Sequence, residues 1–231
     1  MNRLIKPFLF SFTMICGVDE AGRGPVIGPM VVAGVQVEDE NAFEELNIRD
    51  SKKCTPRRRD RLVELIKEKA TKYETIVIQA KDIDVLRKTM TLNEIEVNVF
   101  AAVMKKLRSN VYYVDSADVD EQRFSSFLEE KLGFKAKIVS SHKADDIYII
   151  VGAASILAKT TRDKEVEKIA KKLEEKLGLP LGSGYPADPV TQRFLKTWVE
   201  RFGSLPPETR ESWKTVQRLL KEQKNMPLDR F

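Results

Sequence analysis

An apolar run ends on two adjacent acids, and a glycine-rich turn follows at once: Gly17-Val18-Asp19-Glu20-Ala21-Gly22-Arg23-Gly24-Pro25. Carboxylates at a strand end, beside glycines, can hold a divalent cation where a substrate backbone comes close. The glycines expose backbone N–H and C=O groups, and Arg23 adds a planar fork suited to phosphate. An exposed acidic turn is the plainer reading of an Asp-Glu pair taken alone, since exposed acids are the norm.

The pattern around this segment predicts a mixed sheet covered by helices. Met14–Asp19, Met30–Val37 and Glu74–Ala80 are β-branched runs and read as strands. Thr55 and Pro56 open a helix with Leu62, Leu65 and Ile66 on one face. Thr91–Leu107 is a second helix with a stripe of Ile95, Val99, Ala102 and Val103. Val111–Asp115 is a short strand that again ends on a carboxylate. A helix follows, with Phe124, Phe127, Leu128 and Leu132 aligned and Gly133 as its stop. Ala136–Val139 is a last short strand. Ile147–Ala158, apolar and rich in small residues, reads as a buried helix, and a second, charged helix runs on to Leu177. The Gly/Pro-rich stretch from Gly178 to Pro189 is the clearest internal boundary, with helical patterns near Val190–Phe202 and Trp213–Lys221 beyond it.

Bulk properties exclude more than they assign. A chain of 231 residues fits one large domain, or a domain with an appendage. No apolar stretch reaches the roughly 18 residues of a membrane span. Residues 1–13 make a poor signal peptide, because Pro7 interrupts a short apolar core; a cytoplasmic protein is expected. The net charge of +5 permits a phosphate-rich partner without demanding one. Two cysteines without a CxxC pair argue against structural zinc and against a disulfide framework. His142 is the only histidine, so chemistry needing two imidazoles is excluded. The oxygen-rich acids point to magnesium or manganese.

Further strings accompany the first. They are Asp50-Ser51-Lys52-Lys53, Tyr113-Val114-Asp115-Ser116, His142-Lys143-Ala144-Asp145, Ala153-Ala154-Ser155-Ile156-Leu157-Ala158-Lys159 and Gly182-Ser183-Gly184-Tyr185-Pro186. As a set they resemble the ribonuclease HII family, of archaeal type, which cuts RNA strands paired with DNA. The resemblance runs from about Met14 to about Val216. It implies an α/β ribonuclease H fold with a C-terminal helical extension. Residues 14–186 would form the catalytic domain, 187–224 the helical extension packed on it and 1–13 a dispensable extension.

The resemblance implies a divalent-metal-dependent endoribonuclease using Mg²⁺ or Mn²⁺. It would hydrolyse the RNA strand of RNA–DNA hybrids and nick ribonucleotide-containing duplex DNA, leaving a 5′-phosphate and a 3′-hydroxyl. Asp19, Glu20, Asp115 and Asp145 are the candidate catalytic and metal-binding residues. Phosphodiester hydrolysis needs an activated water and stabilised charge, and clustered acids must neutralise the ions that supply both. In a regular strand Asp19 and Glu20 face opposite ways, so the Ala21-Gly22 turn is expected to bend the chain. Asp145 competes with Asp146 for an N-cap role at the apolar helix; the family string selects Asp145 as ligand. By resemblance, Gly22, Arg23 and Gly24 sense the ribose 2′-OH through exposed backbone groups, and Tyr185 packs on the adjacent deoxyribose. Lys52, Lys53 and Lys143 are candidate phosphate contacts. His142 is expected to be structural.

Two other classes are weaker. Gly22-x-Gly24 with Gly28 departs from the dinucleotide-binding spacing, and a strand rather than a helix follows. A non-catalytic nucleic-acid module would not keep four acids that repel phosphate. The sister ribonuclease HIII is set aside because only 18 residues precede Asp19. The last seven residues, Asn225 to Phe231, resemble a clamp-binding peptide, with Leu228 and Phe231 at the required spacing and Asn225 in place of glutamine. The sliding clamp is thus a candidate partner. A frayed tail whose apolar residues pack back on the body is the competing expectation.

Overall fold

The computed structural model describes residues 13–39, 41–48 and 55–224. Lys52, Lys53, Leu228, Phe231 and all but the last residue of the 1–13 extension lie outside the described residues.

Among the described residues five strands form one mixed sheet in the order β3-β2-β1-β4-β5: β1 Ile15–Ala21, β2 Met30–Val37, β3 Lys72–Ile78, β4 Val111–Asp115 and β5 Lys137–Ser141. β1, β2 and β3 pair antiparallel, whereas β4 runs parallel to β1 and β5 parallel to β4. Every residue of β2 is buried, as expected of a strand covered on both faces.

The helices are α1 Pro56–Lys69, α2 Ala80–Leu86, α3 Leu92–Leu107, α4 Glu121–Leu132, α5 Ala144–Ile147, α6 Ile149–Leu177, α7 Pro189–Phe202 and α8 Lys214–Lys224. Alternation along β1 divides the core. Ile15 and Ala21 face α1 and the start of α6 with Val151, Ala154 and Leu157. Cys16 and Val18 face α3 and α4 with Phe100, Met104 and Phe124. α6 approaches so closely that a Cβ on Gly17 would stand 2.3 Å from Ile150 O.

A third cluster joins the far half of α6 (Leu173, Leu177) to α7 (Phe194, Trp198) and to Val216 of α8. This seats the C-terminal helices against Val26 and Ile27, next to the glycine turn.

Several expectations need correction. α6 is one continuous helix of 29 residues rather than two. Its polarity changes after Ala158, but no Gly or Pro stands at that change; Thr161 returns its hydroxyl to Leu157 O at 2.7 Å within the helix. The third strand ends at Ile78, because Ala80 already begins α2, a helix with no side-chain cap to announce it. Phe127 is exposed while Phe124, Leu128 and Leu132 are buried, because the core stripe of α4 steps by four residues. β1 continues through Glu20 to Ala21 and turns only at Gly22, with φ of +89°. The expected turn thus lies at Gly22, and Glu20 reaches its site from within the strand.

Candidate metal centre and nucleic-acid cleft

The site forms where the parallel strands end. β1 and β4 pair only as far as Val18 and Val114. The next residues are Asp19 and Asp115, side by side at the carboxyl ends of their strands, a common ligand position in α/β sheets. Beyond the last pair the edge of β1 is open, so side chains from both faces of the strand can converge there. Ligand atoms of Asp19, Glu20 and Asp115 lie within 4.8 Å of one another.

Asp145 is not in this group of three. It sits on α5 beside Asp115, whose Oδ1 accepts from Ala144 N at 2.7 Å. Lys159 Nζ lies 3.6 Å from Asp145 Oδ2 and donates to Ser155 Oγ at 2.7 Å. α5 thus brings Asp145 to the margin of the cluster, and Lys159 supplies a counter-charge.

The cluster is electrostatically unfavourable as it stands. Burial, then the negative charge of Asp115, pushes Asp19 up to about 7, opposed by a hydrogen bond from Ser155 and the charge of Lys159. Burial and the neighbouring Asp19, Glu96 and Asp115 hold Glu20 well above the usual carboxylate range. Burial also raises Asp115, and the Asp145 charge adds to it. Glu20 Oε2 is buried with no hydrogen-bond partner. Converging oxygen ligands, an orphaned carboxylate oxygen and excess negative charge are what a hard divalent cation would satisfy. The residues present fit such an ion.

Next to the cluster runs a cleft of about 720 Å³, lined by Glu20, Gly22, Arg23, Gly24, Lys159 and Tyr185, among others. The structure therefore brings the candidate reading turn and Tyr185 together with one of the acids. Tyr185 is 44% exposed and faces Gly24, where an added Cβ would lie 3.4 Å from its ring. Lys143 is exposed, holds a left-handed backbone with φ of +54°, and does not line this cleft. His142 Nε2 lies 3.2 Å from Val119 O, a structural contact.

Distant residues fix the turn. Arg210, fully buried, donates to Gly22 O at 2.6 Å, Arg23 O at 3.1 Å and Gly28 O at 2.9 Å. Burial and the nearby Arg162 lower its guanidinium to about 9. Trp213 Nε1 donates to Gly24 O at 3.2 Å. Arg23 donates from Nε to the buried Glu96 Oε1 and from Nη2 to Asn93 Oδ1, both at 2.7 Å. Burial raises Glu96 to about 7 in spite of Arg23.

Sequence reasoning missed Glu96, Arg162 and Arg210. The one available signal was Glu96, an acid between Ile95 and Val97 on a helix face that is otherwise buried.

Comparison with known proteins supplies the identity. The family model for ribonuclease HII matches residues 16–216. A ribonuclease HII of Thermococcus sibiricus is 45% identical over 216 residues, covering 90% of this chain and 93% of that one. The crystal structure of ribonuclease H2 from Pyrococcus horikoshii aligns with a TM-score of 0.84 and 38% identity, covering 92% of this chain and all of that one. Ribonuclease HII of Archaeoglobus fulgidus, solved as a complex with PCNA, aligns with a TM-score of 0.80 and 40% identity, covering 94% of this chain and all of that one. The five-stranded mixed sheet with its flanking and C-terminal helices is thus the ribonuclease H fold, and the chain belongs to the ribonuclease HII family of endonucleases.

Proposed function

We propose that this endonuclease depends on Mg²⁺ or Mn²⁺, hydrolyses the RNA strand of RNA–DNA hybrids, and nicks 5′ of ribonucleotides embedded in duplex DNA. It leaves a 5′-phosphate and a 3′-hydroxyl. The observation that carries this reading is the convergence of Asp19, Glu20 and Asp115 within 4.8 Å, with Glu20 also lining a cleft walled by Gly22 and Gly24. Asp19, Glu20 and Asp115, joined by Asp145, hold the cation. When bound, divalent cations supply charge neutralisation, an activated water and stabilisation of the leaving oxygen.

The protein's own residues do the selecting. Lys159 balances the acids and keeps Asp145 and Ser155 in place. Backbone groups of Gly22, Arg23 and Gly24 meet the ribose 2′-OH, which both donates and accepts. Arg210 takes up the Gly22 and Arg23 carbonyls from behind, so the turn is held rigid before substrate arrives. Tyr185 packs on the neighbouring deoxyribose. Lys52 and Lys53 contact phosphate, and Lys143 does so outside the cleft. Residues 225–231 dock on the host's sliding clamp through Leu228 and Phe231, a reading supported by the PCNA complex of the Archaeoglobus relative.

The test is cleavage of three matched duplexes: one embedded ribonucleotide, a long RNA–DNA hybrid, and all DNA, with Asp115→Asn as the inactive control. Cuts 5′ of the ribonucleotide with 5′-phosphate ends are expected, and none in all-DNA duplex. Equal cutting of the all-DNA duplex, or an active Asp115→Asn variant, would refute the reading.

A further inference from the structure

The guanidinium of Arg23 could face substrate phosphate or the protein, and the structure turns it inward. Its Nε donates to Glu96 Oε1 and its Nη2 to Asn93 Oδ1, both at 2.7 Å. Nε and Nη2 form the edge that would otherwise take two oxygens of an anion in parallel, so that fork is spent within the chain. Asn93 and Glu96 stand three residues apart at the start of α3 and so share one side of it. Asn93 is itself anchored. Its Nδ2 donates to Asp118 Oδ2 at 3.1 Å, and Arg123 binds the same carboxylate through Nε at 3.1 Å and through Nη2. Asp118 is buried and lies three residues beyond Asp115, on the loop that leaves β4.

Glu96 is a costly residue in this place. It is fully buried, and its Oε2 has no hydrogen-bond partner among the described residues. A half-satisfied carboxylate in the core opposes folding. Its partner Arg23 keeps a side chain 41% exposed, so the pair runs from the core to the wall of the cleft. The Arg23 backbone is therefore held from two sides. Arg210 takes its carbonyl at 3.1 Å, and α3 takes its side chain.

We propose that Glu96 is a positioning residue for ribose recognition. With Asn93 it pins the Arg23 side chain, and so sets the Gly22–Gly24 backbone in register with the loop carrying Asp115. This rests on the reading above, in which that backbone meets the 2′-OH, and deepens it. The side chain of Arg23 is then an anchor rather than a phosphate contact. The charge on Glu96 serves geometry at the expense of stability.

The experiment measures steady-state cleavage of the single-ribonucleotide duplex, with an all-DNA duplex as competitive inhibitor. It compares wild type, Glu96→Gln, Glu96→Met and the double variant Arg23→Met/Glu96→Met. Glu96→Met should lower kcat/KM about 10- to 100-fold, the value of a charge-assisted hydrogen bond, and leave the inhibition constant of the all-DNA duplex unchanged. Glu96→Gln keeps an acceptor for Arg23 and should fall between. The double variant should match Glu96→Met, and its inhibition constant should keep the wild-type dependence on salt. A merely structural Glu96 would weaken both duplexes alike. An Arg23 bound to phosphate would cost the double variant all-DNA affinity and about one unit of salt slope. Either result, or wild-type cleavage by Glu96→Met, overturns the proposal. So does a changed Mg²⁺ requirement, which would put Glu96 with the metal ligands. If Glu96→Met fails to fold, Glu96→Gln and the double variant, which leaves neither charge unpaired, decide. A wild type that cleaves no single-ribonucleotide duplex would sink the underlying reading instead, which is a separate outcome.

Discussion

Replacing Asp19 by Asn removes a charge that the metal-free protein holds at a cost, and the cost follows from its setting. Asp19 is 3% exposed and packed against Asp115. In the folded, metal-free protein it titrates at about 7, against 3.8 for the ordinary carboxyl. Between those two values the folded state keeps a proton that the unfolded chain has lost. Stability therefore falls as pH rises through this window, fully present below about 4 and spent above about 7. At roughly 1.4 kcal/mol per pH unit, Asp19 alone accounts for about 4 kcal/mol. Glu20, Asp115 and Glu96 are raised too and act in the same direction.

Urea unfolding in EDTA, followed by circular dichroism from pH 4.5 to 8, reads this directly. Wild type should weaken steadily with pH. Asp19→Asn should match it near pH 4.5, decline less, and at pH 8 be more stable by up to about 4 kcal/mol. Adding Mn²⁺ at pH 8 should narrow the gap. Wild type gains about 2.7 kcal/mol at a hundredfold excess over Kd, and the variant gains less. Parallel pH profiles for the two proteins, or a variant weaker than wild type at pH 8 in EDTA, would refute the electrostatic account of the cluster.

Other outcomes follow from the turn and the ends of the chain. Gly24→Ala should fold normally, since its Cβ would meet only the Tyr185 ring at 3.4 Å; discrimination of ribose from deoxyribose should fall roughly tenfold, the worth of one hydrogen bond of about 1.4 kcal/mol. Gly22→Ala should instead cost about 1–3 kcal/mol of stability through its positive φ, and its Cβ would also lie 2.7 Å from Pro29 O; equal melting temperatures for the two variants would contradict this contrast. A chain starting at Met14 should keep its activity, because Met14 is tied to Asn110 Oδ1 at 2.9 Å through its own amide; an insoluble or inactive product would show that the extension matters. Calorimetry against the host's sliding clamp should show binding by the full chain and none by a chain ending at Lys224, and equal binding by both would end the docking proposal.

The strands that carry acids were legible because each is a short β-branched run leading to a carboxylate. Asp115 could be placed at its strand's end, and Asp19 near the end of a strand that runs on to Ala21, without knowing which strands touch. The parallel pairing of β1 with β4 supplied the rest. α2 was illegible, being seven residues long and lacking a capping side chain. α6 was divided in two because hydrophobicity changes at Lys159 while the backbone does not. Least legible was the support of the turn. Arg210 meets Gly22 O across 188 residues of sequence, and Arg23 meets Glu96 across 73. Local periodicity carries no trace of such pairings, and only the C-terminal helices, seated against Val26 and Ile27, bring Arg210 to the turn.

The central claim is that a cation held by Asp19, Glu20 and Asp115 touches the phosphate that is cut. Sulfur in place of a non-bridging oxygen at the linkage 5′ of the ribonucleotide tests it most directly, because sulfur binds Mg²⁺ poorly and the softer Mn²⁺ better. The account predicts that one phosphorothioate diastereomer is cleaved slowly with Mg²⁺, and that Mn²⁺ restores the rate relative to the all-oxygen duplex. Equal slowing with both metals, or no slowing with either, would contradict it.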